Sequence, residues 1–176
     1  IGPRSPSWRG APKVMTAVFP PPPPLASSLR LSVQQHARHA PHLKHLATFD
    51  LIRARRLARA SGFDDALFVD AAGRVCEGSL WNIGFLEGDR VVWPLAPVLD
   101  GVSQALIRRG LARSGLTEAM EHVGLEDLPR FDGAFICNSA TPACPVAAIG
   151  DHRFVVRAEP IERLRAAWAS NVPQPI

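Results

Sequence analysis

The sequence has no tyrosine, only three cysteines and no long uninterrupted apolar run. A membrane-spanning helix needs about 18–20 consecutive apolar residues, so the sequence predicts neither a membrane span nor a membrane partner. Three cysteines cannot all pair with one another, and none forms a Cys-X-X-Cys motif. Reduced thiols in a cytoplasmic protein are therefore the expected state.

Lysine is also scarce, although the chain is basic. Lys and Arg number 20 against 16 Asp and Glu, for a formal net charge of +4, and the only lysines are Lys13 and Lys44. A GC-rich coding sequence is the simplest source of such an arginine bias. The arginines cluster at 53–59 and 108–113 on two expected helices, without the aromatic interleaving of a nucleic-acid surface. The sequence therefore predicts no nucleic-acid partner.

Apolar residues make up 47% of the 176 residues, which suffices for the core of one domain or slightly more and excludes wholesale disorder. Their spacing predicts helices at 49–60, 101–114 and 160–169, and short strands at 14–19, 29–33, 66–70, 74–77, 81–86, 91–93, 134–137 and 146–149. Strand 29–33 is expected to be an edge or half-buried strand. Together these elements predict a mixed α/β fold.

Helix 49–60 is expected to end at Gly62. The residues predicted to face the core are Phe49, Ile52, Leu57 and Ala60, with Leu51 and Ala58 beside them. The five prolines at 20–24 favour an extended polyproline II segment, which could be a surface loop or a hinge between two lobes.

Lys44 is the first candidate for chemistry. It stands between Leu43 and Leu46, where its aliphatic stem could simply cover apolar surface. If it is buried instead, its amine becomes a nucleophile for carbonyl groups. Glu77 ends a predicted strand and becomes of interest only if it meets a cationic partner.

A second candidate is the start of helix 101–114. Gly101 to Ser103 follows an apolar run, so free N–H groups, the helix dipole and a hydroxyl form an anion site. The alternative is an ordinary helix start with Asp100 as its N-cap. Ser139 follows strand 134–137 and could face the same anion.

Four histidines recur at every third position and invite a zinc hypothesis. They are His36, His39, His42 and His45. Pro41 interrupts any continuous helix that would align them, so the sequence predicts no metal site.

The order of five motifs resembles the class IV pyridoxal-phosphate enzymes of the branched-chain/D-amino acid aminotransferase and aminodeoxychorismate lyase type. The resemblance covers about residues 13–155. The motifs are Leu43-Lys-His-Leu46, the stretch 62–70, the stretch 73–83, Leu99-Asp-Gly-Val-Ser103, and 135–139 continuing to Pro145-Val146. Asp100 stands where the family usually has proline.

The resemblance implies the large C-terminal domain of the D-amino acid aminotransferase-like fold, with short strands in a pseudo-barrel and flanking helices. Residues 1–24 would be a remnant of the small N-terminal domain, otherwise largely absent, with the proline-rich interdomain segment. Residues 25–176 would form the large domain, which binds pyridoxal 5′-phosphate, and a homodimer is expected.

The resemblance also implies a role for each motif residue. Lys44 would form the Schiff base with pyridoxal phosphate and act in catalysis, and Glu77 would pair with the protonated pyridine nitrogen. Leu99 would pack on the ring. Val102, Ser103 and Ser139 would hold the phosphate, and Ser139, Ala140 and Thr141 would face the substrate carboxylate.

The function implied is transfer of an amino group between an amino acid and a 2-oxo acid. A 4-amino-4-deoxychorismate lyase, which eliminates pyruvate, is the first alternative, and a truncated non-catalytic family member is the second. Phe49 stands where family transaminases of the branched-chain group often carry a tyrosine, so one active-site hydroxyl is absent.

Overall fold

One mixed sheet of nine strands carries three helices in the computed structural model, which describes residues 16–20 and 26–172. The strands are β1 (Leu29–Gln35), β2 (Asp65–Val69), β3 (Val75–Gly78), β4 (Asn82–Glu87), β5 (Arg90–Pro94), β6 (Thr117–Glu121), β7 (Gly133–Asn138), β8 (Thr141–Ile149) and β9 (His152–Arg153). The helices are α1 (Phe49–Ala60), α2 (Val102–Gly110) and α3 (Ala158–Ala169), with 3-10 turns at Leu111–Ser114 and Leu125–Arg130.

The strand order is β3-β2-β1-β8-β7-β4-β5-β6, with β9 paired to β8. Strand β1 runs parallel to both β2 and β8, β5 runs parallel to β6, and the other pairs are antiparallel. The sheet curls into half a barrel. The predicted mixed α/β class is confirmed. Strand β1 is half-buried, which was one of its two predicted alternatives. It is not an edge strand, because α1 returns the chain beside it as β2.

The apolar core has two main parts, one on each face of the sheet. One part includes Leu31, Leu67 and Phe85, all buried. The other fills the space beneath α2 and α3, where Trp93 and Ile107 are fully enclosed. Because both faces are covered, β2 and β3 are buried at every residue, and β4, β5 and β7 are buried at all but one residue each.

Helix α1 forms over the predicted residues, and Gly62, with a φ of +82°, follows its end as expected. The predicted inward face is wrong for its four principal residues, whereas Leu51 and Ala58, predicted beside them, are buried. The exposed members of the predicted face are Phe49 (76%), Ile52, Leu57 and Ala60. The buried residues are Leu51, Ala54 and Ala58, because two small alanines let the helix approach Phe68 of β2 closely.

Strand β6 was not predicted, because its short, largely polar sequence pairs with β5 at the edge of the sheet. The strand predicted at 14–19 does not form over its described part. Residues 16–19 are exposed and have no regular structure, since within the described ranges no strand pairs with them.

Residues 1–15 and 21–25, including most of the proline run, lie outside the described residues. The domain boundary at 24/25 therefore stays a prediction. Among the described helices, none has the length and apolar content needed to cross a lipid bilayer.

Candidate active site

A cleft of about 420 Å³ brings together four of the predicted site residues. They are Lys44, Leu99, Val102 and Ser139. The cleft lies between the loop before α1, the turn from β3 to β4, the loop that leads into α2 and the end of β7. Residues distant in sequence thus meet at one opening.

Lys44 lies in the loop between β1 and α1, and its side chain is exposed. The next residue, His45, organises this loop. Its Nε2 bonds to the carbonyl of His39 at 2.9 Å, and its Nδ1 accepts the N–H of Ala47 at 3.2 Å. These partners assign the proton of the neutral ring to Nε2. Of the two alternatives for Lys44, the buried one is not found.

Glu77, at the third position of β3, is 5% exposed, so it is not a surface carboxylate. Its Oε2 accepts the N–H of Leu99 at 3.1 Å, and its Oε1 lies 3.7 Å from Nη1 of Arg38. Within the described residues, Oε1 has no hydrogen-bond partner. Burial raises the pKa of Glu77, while the Leu99 N–H and the charges of Arg38 and Lys44 partly oppose that rise.

Glu77 does not line the cleft itself. It lines a smaller cavity of about 70 Å³, whose wall also includes Arg38. Arg38 and Leu99 both line the cleft, so the carboxylate lies directly behind two of the cleft residues.

The N-terminus of α2 opens toward the cleft. Its N-cap is Gly101, and no side chain among the described residues caps it, so Asp100 is not the N-cap. The first intrahelical bond joins the Ala105 N–H to the Gly101 carbonyl. The N–H groups of Val102 and Ser103 therefore point out of the helix, where the helix dipole favours an anion.

Asn82 shapes this helix start and was missed in the sequence. Its Nδ2 donates to the Leu99 carbonyl at 2.8 Å. A Cβ on Gly101 would stand 1.9 Å from Asn82 Oδ1, which explains why the N-cap is glycine. The available signal was a polar residue directly before the apolar run of β4.

Ser103 is buried and does not line the cleft. Its hydroxyl donates to the carbonyl of Asn138 at 2.7 Å. The predicted contribution of this serine to an anion site is thus reduced to its backbone N–H, because its hydroxyl proton is already engaged.

The segment 139–141 is only partly in the cleft. Ser139 is exposed at its rim, whereas Ala140 and Thr141 do not line it. The N–H groups of Ala140 and Thr141 both donate to Oδ1 of Asn138 at 3.0 Å. Binding of a substrate carboxylate by these two N–H groups would require Asn138 to turn away.

A buried carboxylate supports the floor of the cleft. Asp65 accepts hydrogen bonds from the hydroxyl of Ser79 and the indole of Trp81, and Nε of Arg55 lies 3.4 Å away. These contacts hold the turn between β3 and β4, which lines the cleft. None of these three partners was singled out in the sequence.

Two of the four regularly spaced histidines have other structural contacts. His36 packs on Phe68 with ring centroids 4.7 Å apart, and His45 is used in the loop described above. Within residues 16–20 and 26–172, no three His, Cys, Asp or Glu side chains gather as metal ligands would.

Comparison with known proteins supplies the family context. Residues 5–149 match the family model described as "Amino-transferase class IV". The "Probable branched-chain-amino-acid aminotransferase" of Rickettsia felis is 31% identical over 90 residues, which are 51% of this chain and 31% of that protein. The chain thus spans about a third of the length of this curated relative.

Two solved structures show the same fold. A fold IV-transaminase from Curtobacterium pusillum superimposes with a TM-score of 0.74 at 21% identity, covering 83% of this chain and 55% of the other. A "Putative 4-amino-4-deoxychorismate lyase" from Legionella pneumophila superimposes with a TM-score of 0.72 at 23% identity, covering 78% and 54%. These superpositions cover most of this chain and about half of each neighbour, and at this identity they show the fold alone.

Proposed function

Because this chain belongs to the class IV aminotransferases, a family that depends on pyridoxal 5′-phosphate, we propose that it is the cofactor-binding part of such an enzyme. The reaction proposed is transfer of an amino group between an amino acid and a 2-oxo acid. The observation that carries this proposal is the shared cleft, which is lined both by Lys44, with its primary amine, and by the N-terminus of α2, which no described side chain caps.

The residues present fit the cofactor. Lys44 Nζ would hold it covalently through its aldehyde carbon, and the N–H groups of Val102 and Ser103 would bind its phosphate. Glu77 Oε1, buried and without a hydrogen-bond partner in the described residues, would accept a hydrogen bond from the protonated ring nitrogen. When bound, pyridoxal phosphate supplies a ring that accepts electrons from the substrate α-carbon.

The chain's own residues then have distinct tasks. Lys44, when its amine is free, would accept the α-proton of the substrate and return it. Glu77 keeps a proton on the ring nitrogen, which requires the carboxylate to remain ionised. Leu99 covers the ring with apolar surface, and Ser139 at the cleft rim contacts phosphate or substrate.

A lyase is the second candidate. It is favoured by the Legionella neighbour and by Phe49, which supplies no hydroxyl where branched-chain transaminases often have one. The same Lys44 would serve elimination of pyruvate. Release of pyruvate from aminodeoxychorismate without an amino acceptor would contradict the transaminase proposal, and turnover only with a 2-oxo acid would support it.

Covalent labelling tests the assignment of Lys44. The purified chain is incubated with pyridoxal phosphate, reduced with borohydride, digested and examined by mass spectrometry. We expect the added mass on the peptide of Lys44. The matched control is Lys13→Ala, which removes the only other lysine and leaves the label in place, whereas Lys44→Ala abolishes it. A label on Lys13, or none at all, contradicts the assignment.

Glu77→Ala separates binding from chemistry. We expect this variant to keep the label on Lys44 and to lose most turnover with amino donors and 2-oxo acids, because the ring nitrogen loses its proton. Unchanged turnover contradicts the role of Glu77. A chain that takes the label but turns over neither substrate class would support the non-catalytic alternative.

We also propose a homodimer in the cytoplasm. Support for association comes from exposed apolar side chains next to Lys44, namely Leu43, Leu46 (99%) and Phe49. The three cysteines are free thiols, as a reducing compartment allows. Light scattering should give twice the chain mass, and a monomer at micromolar concentration would contradict the dimer.

A further inference from the structure

Arg38 occupies a position between the two principal candidates for catalysis. It follows β1, and its side chain is only 11% exposed. Its Nη1 lies 3.7 Å from Glu77 Oε1, and its Nη2 donates to the carbonyl of Leu43 at 3.3 Å. One guanidinium therefore contacts both the buried carboxylate and the peptide that precedes Lys44.

The same side chain separates two cavities. Arg38 lines the cleft that contains Lys44 and the small cavity that contains Glu77. Its Nε is buried and has no hydrogen-bond partner within the described residues. An arginine in this position gives up hydration at several N–H groups, a cost that is offset only if its charge is needed there.

Glu77 is the group that needs that charge. A carboxylate this deeply buried tends to take up a proton and become neutral, and a neutral acid with its own proton is a poor acceptor for a protonated ring nitrogen. The Leu99 N–H supplies one hydrogen bond. The charged and titratable groups that face Glu77 are Arg38 and Lys44 and, around the small cavity, His36, Asp70 and Cys76.

Of the two cations, Arg38 is the permanent one. Lys44 is exposed. Under the proposed function its amine is bonded to the cofactor, so it is not available to pair with Glu77. A guanidinium stays charged at all relevant pH values and can contact groups in different directions at once.

We propose that Arg38 is the positioning residue of this site: its guanidinium keeps Glu77 ionised and ties strand β3 to the loop that carries Lys44. The catalytic consequence rests on the proposed function. The pairing of Arg38 with Glu77 is a property of the chain alone and can be measured without the cofactor.

The first experiment is a double-mutant cycle in the cofactor-free chain. Arg38→Met, Glu77→Gln and the double variant are unfolded in urea, with Arg53→Met on the exposed face of α1 as the matched control. At about pH 8 we expect Arg38→Met to lower the folding equilibrium constant roughly 30-fold or more, because it leaves a buried charge without its partner. In the Glu77→Gln background, the same substitution should lower the folding equilibrium constant by less than about 10-fold.

The pH dependence distinguishes loss of charge pairing from loss of packing. At about pH 4, below the ordinary pKa of a glutamate, Glu77 is largely protonated, so the penalty of Arg38→Met should shrink. Carbon-13 NMR of the Glu77 carboxyl should show its pKa higher in Arg38→Met than in wild type, and restored toward wild type in Arg38→Lys. Equal penalties at both pH values, additive variants, or an unchanged Glu77 pKa would overturn the proposal.

The second experiment uses the cofactor. Equilibrium dialysis should show about tenfold weaker binding of pyridoxal phosphate by Arg38→Met, a loss equivalent to about 1.4 kcal/mol, and no further loss in the double variant with Glu77→Gln. Full additivity would count against the proposal. If wild type binds no pyridoxal phosphate, the proposed function fails, while the cycle in the cofactor-free chain still decides the pairing of Arg38 and Glu77.

Discussion

The indole Nε1 of Trp81 donates a hydrogen bond of 2.8 Å to Oδ2 of Asp65, and both residues are buried. Asp65 begins β2 and Trp81 directly precedes β4. Ser79 donates to the other oxygen of the same carboxylate. The floor of the candidate active site is therefore held by a charged group that does not line the cleft.

Asp65→Ala should destabilise the protein by about 3 kcal/mol, because it leaves the donors of Ser79 and Trp81 and the cation of Arg55 without their buried partner. Trp81→Phe, which removes one donor, should cost about 1 kcal/mol. Urea unfolding gives both values, and Asp151→Asn at an exposed turn is the control. A cost for Asp65→Ala no larger than that of the control would mean that this network does not support the fold.

Gly101→Ala should disturb the start of α2. The new Cβ would stand 1.9 Å from Asn82 Oδ1, so Asn82 must move and release the Leu99 carbonyl. We expect a loss of about 1–3 kcal/mol in unfolding free energy together with weaker binding of pyridoxal phosphate, measured by equilibrium dialysis.

The control for Gly101 is Gly133→Ala, whose Cβ would meet its nearest neighbour at an ordinary 3.4 Å. Adding Asn82→Ala to Gly101→Ala should recover part of the binding, since it removes the clash. Wild-type affinity in Gly101→Ala would show that the glycine is not required for the anion site.

Glu77→Gln should change stability in a pH-dependent way. Burial, the largest influence, raises the pKa of Glu77 above its ordinary value, so the folded state binds this proton more tightly than the unfolded chain does. The stability that Glu77 contributes is therefore complete below the ordinary glutamate pKa and is lost as pH rises through the raised one. As pH rises through this range, Glu77→Gln should therefore become more stable relative to wild type.

Thermal unfolding of wild type and Glu77→Gln from acid to neutral pH measures this effect. Glu159 is an exposed residue at the start of α3, and Glu159→Gln should show the same pH dependence of the melting temperature as wild type. A difference between Glu77→Gln and wild type that falls with rising pH would contradict the assignment of burial as the dominant influence.

The thiols should be inert in the native protein. Burial raises the pKa of Cys76 to about 11 and that of Cys137 to about 12, so little thiolate exists near neutral pH. Alkylation by iodoacetamide at about pH 8 should be slower than for a free cysteine by about 100-fold or more. Mass spectrometry should show Cys137 modified last, and rapid labelling of Cys137 in folded protein would contradict its burial.

Local pattern was sufficient for several features of this protein. The apolar spacing at 49–60 predicted α1 to the residue, and the strands of the central sheet lie close to their predicted runs. With only two lysines in the chain, Lys44 was an evident candidate, and the structure places it in a cleft with Leu99, Val102 and Ser139. Helix periodicity depends on nearby residues, and the order of motifs follows the chain itself, so both can be read from the sequence.

The tertiary structure decided what depends on distant partners. The sequence of α1 is compatible with two apolar faces, and only packing of Ala54 and Ala58 against the sheet selects one. The pairing of Arg38 with Glu77 and the use of the Ser103 hydroxyl by Asn138 join separate elements. Such contacts arise from how the strands are ordered in the sheet, and no local spacing encodes that order.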